Sequence, residues 1–103
     1  MQQAQFAIGQ IIEHVLFNYR GVIIDVDFKY LGSDEWYEQV ALSRPPKDLP
    51  WYHVLVDNAT HQTYVAEQNM ALSEFLTPVN HPLIEHFFCK LENGLYIPRE
   101  KKN

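Results

Sequence analysis

Apolar positions gather in strand-like runs along the chain, and one of these alternates with polar positions in its second half. The run Val22-Ile23-Ile24-Asp25-Val26-Asp27 reads as a strand, with Ile24 and Val26 on one face and Asp25 and Asp27 on the other. Pro50-Trp51-Tyr52-His53-Val54-Leu55-Val56-Asp57 and Thr63-Tyr64-Val65-Ala66-Glu67-Gln68-Asn69 are rich in aromatic and β-branched residues. The polar turn Asp57–Gln62 separates them, so they read as a β-hairpin. Ile11-Ile12-Glu13-His14 forms an earlier strand after a bend at Gly9, with Asn18 and Gly21 as turn formers behind it. Asn69–Leu72 reads as a short strand or turn, and Leu95-Tyr96-Ile97 as a last edge strand ended by Pro98.

The spacing changes to a helical period in two places. Ser33 before Asp34-Glu35-Trp36 is an N-cap followed by first-turn acids. With Trp36, Tyr37, Val40 and Ala41 at helical spacing, a short helix is expected over 34–43, ended by Pro45-Pro46. Pro82 opens a second expected helix, with Leu83, Phe87 and Leu91 as its buried stripe and Asn93-Gly94 as its stop. Four to five short strands with little helix predict a mainly β domain. Its expected form is a small SH3-like barrel, partly open and strongly bent, with one or two short helices.

The 103 residues suffice for one domain, read as spanning 1–103 with 1–5 and 99–103 flexible. An apolar content of 47% excludes disorder. The formal charge of −5 opposes tight, nonspecific binding to a phosphate backbone, so any basic patch must be local. The single cysteine, Cys89, excludes an internal disulfide and fits a reducing cytoplasm. Neither a leader-like start nor a transmembrane-length stretch is present, so no membrane role is expected.

Four constellations carry candidate chemistry. Trp51 and His53 share one strand face and Tyr52 takes the other, which offers either a ring platform or ordinary core packing. Core packing is the preferred reading for Tyr52, and Trp51 stays open between the two. Five histidines (His14, His53, His61, His81, His86) show no zinc-type spacing, so structural roles are expected and no metal or cofactor. A metal-dependent hydrolase using His14, His53 and Asp25 would need strands that bring those residues together. Asp25 and Asp27 are a carboxylate pair of the kind used in acid–base work, and equally what a solvated strand face looks like. Without a nucleophile motif or a phosphate loop, no enzymatic activity is expected. Arg20, Lys29, Arg44 and Lys47 form a thin basic set that reads first as solvated charge. They make one patch only if segment 28–50 folds beside the turn at Arg20.

Several blocks together resemble the YccV-like family, the hemimethylated-DNA-binding domain found in heat-shock proteins of the HspQ type. The carriers are Phe6-Ala7-Ile8-Gly9-Gln10, His14, Gly21–Asp27, Pro50-Trp51-Tyr52-His53-Val54 and Thr63-Tyr64-Val65-Ala66-Glu67. The resemblance implies a non-catalytic, stress-associated regulatory protein that binds hemimethylated DNA, weakly and with salt sensitivity, and is linked to degradation of denatured proteins and control of a replication initiator. Tyr19 and Trp51 would supply rings, and Arg20, Lys29, Arg44 and Lys47 cations. The alternative is a pure protein-interaction module, an adaptor of an ATP-dependent protease and its clients, with no meaningful DNA affinity. A small homo-oligomer is also implied. Gly21, Trp51, Tyr52, His53, Tyr64 and Glu67 are the motif and core positions.

Overall fold

The computed structural model describes residues 3–99. Among these, seven strands form two antiparallel sheets, joined by two short α-helices. Strands β1 (Ile11–His14), β2 (Arg20–Asp27), β3 (Trp51–Val56) and β4 (Gln62–Ala66) make a meander. A 3-10 turn, Glu67–Asn69, then carries the chain to β5 (Met70–Leu72), which pairs with the outer side of β1. The order β4-β3-β2-β1-β5 is that of an SH3-like barrel left open, with β4 and β5 as its edges. The inner face carries Ile12, Ile23, Tyr52, Val54, Val65 and Met70, all buried. No helix among the described residues is long and apolar enough to cross a membrane.

The outer face of the sheet has two covers. Helix α1 (Asp34–Val40) lies over one end, where Tyr37 and Ala41 pack on Trp51 and Ala66. Its start follows the sequence signal: the Ser33 hydroxyl accepts from the Trp36 N–H at 3.1 Å. It stops at Val40 and not at 43, because Ala41 leaves the helical conformation (ψ 66°), and Arg44 further on is left-handed (φ 51°). The Arg44 guanidinium then reaches back to the carbonyls of Tyr37, Glu38 and Ala41. The other end is covered by β6 (Phe88–Glu92) and β7 (Leu95–Pro98). There Val79, Phe88 and Tyr96 pack on Ile11, Val22 and Leu55.

That second cover corrects the helix expected from Pro82. Only one helical turn forms, α2 (Ile84–Phe87), and Phe88 onward is strand. Asn93 and Gly94 both have positive φ (52° and 80°), which makes them a two-residue hairpin turn and not a helix stop. Phe88 is accordingly the buried residue, while Leu83 is exposed and Phe87 and Leu91 half-buried.

Two further expectations change. Gly21 is not a turn residue. It sits inside β2, where a Cβ would lie 2.5 Å from the Leu55 carbonyl oxygen. Ile24 and Val26 do not share a face, because a bulge shifts the β2–β3 register between Ile23 and Asp25. Ile24 packs with the outer cluster and Val26 with the inner one. At the chain ends, the Gln5 N–H donates to Glu67 at 2.9 Å and the Arg99 N–H to the Phe87 carbonyl at 3.0 Å. The rest of the expected flexible ends, residues 1–2 and 100–103, lies outside the described residues.

Candidate functional site

The helix-covered end of the sheet gathers most of the rings and acids singled out in the sequence. The bulge at Ile24 inverts the alternation that follows, so Asp25 and Asp27 reach the outer face while Val26 faces inward. Asp25 therefore stands beside His53, and Asp27 beside Trp51. On the other flank of β3, Tyr64 pairs with His53 and Ala66 with Trp51. Trp51 is only 1% exposed and meets the rings of Tyr30, Tyr37, Trp36 and Tyr64. Its indole N–H donates to the Pro46 carbonyl at 3.1 Å. Trp51 is thus a core residue that fixes segment 28–50 on the sheet.

Beside it lies a polar triad. The Tyr64 hydroxyl donates to Asp27 Oδ2 at 2.6 Å, and His53 Nε2 lies 3.0 Å from the same oxygen. Burial first, and then this bond to a carboxylate, push the Tyr64 hydroxyl pKa above its ordinary value. The triad opens to solvent through a recess of about 290 Å³ lined by Asp27, Leu31, Ser33, Trp36, His53 and Tyr64. On the inner face Tyr52 plays a parallel part: its hydroxyl donates to Glu67 at 2.5 Å and accepts from the Phe6 N–H. Burial and the Glu67 bond raise its pKa as well.

A larger groove, about 690 Å³, runs along the outer edge of β4. Its walls come from the β1–β2 turn (Leu16, Phe17) and from the end of α1 (Val40, Leu42). These four side chains are all exposed, Phe17 at 71% and Leu42 at 76%. Among the described residues strand β4 pairs only with β3, so its other backbone edge faces this groove. No spacing rule marked the groove, since its walls come from three separate parts of the chain.

The basic set is dispersed. Arg20 pairs with Asp57 at 3.0 Å and donates to the carbonyls of Phe75, Thr77 and Pro78. Arg44 and Lys47 come together on the Tyr37 ring, but they pair with Glu38 and Asp34. Lys29 follows the far end of β2 from Arg20 and makes no ion pair among the described residues. Tyr19 is half-buried, lines the groove and bonds Thr63 at 2.8 Å. His14 and His53 are not neighbours, because β2 lies between their strands. His14 instead accepts from the N–H groups of Leu16 and Phe17 in its own turn.

An open SH3-like meander, with a ring-lined recess and a grooved edge strand, defines a small, mainly β domain. The chain belongs to the YccV-like family. Residues 4–95 match the family described as hemimethylated DNA-binding protein YccV like.

Proposed function

We propose that this chain is a cytoplasmic, non-catalytic regulatory binding protein of the HspQ type that works through protein contacts. Its partners would be an ATP-dependent protease and the extended, apolar segments of denatured clients. The observation that carries this reading is the groove along β4. There an unpaired strand edge lies between the exposed side chains of Leu16, Phe17, Val40 and Leu42. An extended segment can add to such an edge through main-chain hydrogen bonds while its apolar side chains enter the groove. A second copy could use the same edge, which is how the proposal accommodates a small homo-oligomer.

The family description favours a second reading, hemimethylated DNA. One methyl on adenine N6 would be sensed in the major groove, with phosphates held by cations. Here Arg20, Arg44 and Lys47 are each engaged within the chain, and the net charge is −5. Binding to DNA would be weak and would fade quickly with salt. A role in controlling a replication initiator belongs to this reading.

One titration series separates the two. Hemimethylated, fully methylated and unmethylated duplexes of one sequence are titrated at two salt concentrations, alongside an unfolded, apolar model client. The expected result is client binding that survives added salt and is lost in Leu42→Asp with Phe17→Asp, two exposed positions. Salt-sensitive preference for the hemimethylated duplex, with no client binding, would overturn the protein-contact reading in favour of DNA.

A further inference from the structure

We propose that Asp25, Asp27 and His53 form a binding site for a divalent first-row transition-metal cation, Zn²⁺ or Mn²⁺, at the mouth of the recess under helix α1. One donor atom from each of the three lies within 4.8 Å of the others. Metal bonds of about 2.0–2.2 Å set donor atoms about 3–4 Å apart, so a small rotation of the exposed Asp25 carboxylate closes the set.

Three observations support the site beyond proximity. The first is the backbone. Without the bulge between Ile23 and Asp25, strict alternation would turn both carboxylates to the inner face, away from His53. The second is charge. Among the described residues neither Asp25 nor Asp27 is paired with a lysine or arginine; His53 lies 3.0 Å from Asp27, and Asp25 has no ionic partner. Two carboxylates this close repel unless a cation lies between them. The third is access and free valence. The recess of about 290 Å³ reaches Asp27 and His53 and leaves room for water ligands. Asp27 Oδ2 is held by Tyr64, while its Oδ1 carries no hydrogen bond among the described residues. Asp25 uses only Oδ1, which accepts from the Val26 N–H.

The donor set selects the ion. An imidazole nitrogen beside two carboxylate oxygens suits zinc or manganese better than magnesium or calcium, which prefer all-oxygen shells. Tyr64 would act as the positioning residue that keeps the Asp27 carboxylate turned toward the recess. The site borders the groove, whose lining also includes His53 and Tyr64, but its donor atoms need no bound partner.

The test is calorimetric titration of the tag-free chain with ZnCl₂, paired with melting curves. Expected are one dominant site and a melting temperature that rises with zinc. Affinity should fall at least about tenfold in both Asp25→Asn and His53→Gln. Asp25 is exposed, so its variant keeps the fold even if His53→Gln does not. His86→Ala with Cys89→Ser controls for these two exposed, closely spaced groups and should leave the affinity unchanged. No binding to the parent chain would overturn the proposal, and so would binding that Asp25→Asn leaves intact.

Discussion

The outer face of the sheet is covered twice, and the two covers differ in kind. Toward one end, the Leu55, Val22 and Ile11 rung is sealed by Val79, Phe88 and Tyr96, an apolar layer. The buried Tyr96 hydroxyl there accepts from the Val79 N–H at 2.9 Å. Two rungs along the same face, Trp51, His53, Asp25, Asp27 and Tyr64 meet a helix through rings and charged groups. A recess and a groove open beside them. A cover built only for stability needs shape and apolar area. The second cover keeps a partly buried carboxylate, Asp27, and a histidine where apolar residues would pack more cheaply. That difference sets apart the end that carries the proposed groove and cation site.

The strongest challenge to the comparison is Trp51→Ala. The ring is fully buried and touches four other aromatic residues, so its removal should cost about 3–5 kcal/mol. Chemical denaturation measures this directly. A loss of similar size is expected for Phe88→Ala at the sealed end. The two variants part on a second readout. Near its own midpoint Trp51→Ala should lose near-UV signal from Tyr30, Trp36 and Tyr37, whereas Phe88→Ala should keep it. Equal loss of that signal in both would mean that the two covers unfold as one unit.

Much of this architecture was legible in short-range signals. The β3–β4 hairpin shows in its aromatic and β-branched runs, and α1 in its Ser33 cap, because the cause lies within a few residues of the effect. The C-terminal hairpin was hidden. Leu83, Phe87 and Leu91 satisfy a helical period, and Asn93-Gly94 can end a helix as well as turn a hairpin. The bulge at Ile24 was hidden for another reason: one extra residue in a strand leaves no mark except in its partner's register. Asp25, Asp27 and His53 were each visible as chemistry, and Tyr64 as a motif position. Their meeting depends on that bulge, which is why the sequence showed the parts of the recess and not its assembly.

Arg20 sharpens the comparison from the sealed side. It looked like a free cation in a turn, yet it begins β2 and straps the segment leading to Val79. Arg20 and Asp57 are largely buried, at 17% and 14% side-chain exposure. Removing one partner of such a pair leaves the other charge unmatched. Arg20→Ala should therefore lower stability by about 3 kcal/mol, read as a shifted denaturation midpoint. An unchanged midpoint would release Arg20 from the fold and return it to the set available for phosphate.

The smallest effect expected is one of pH, and it should act at the grooved end alone. His14 is buried at the end of β1, and burial lowers its pKa from the usual 6.5. Its Nδ1 accepts from the N–H groups of Leu16 and Phe17, each at 3.2 Å, so the turn that walls the groove is folded around a neutral ring. The unfolded chain takes up a proton near pH 6.5 that the folded chain resists. Stability is therefore lost as the pH falls below about 6.5 toward the lowered folded value. His14→Asn keeps a side-chain acceptor and removes the titration. Between about pH 7.5 and 5.5 the parent's melting temperature should fall further than that of the variant. Amide exchange should rise at Leu16 and Phe17 while Val79 and Tyr96 stay protected. Parallel slopes for parent and variant would show that His14 is not held neutral. A rise in exchange at both ends would show that the sealed cover and the grooved one respond to acid together.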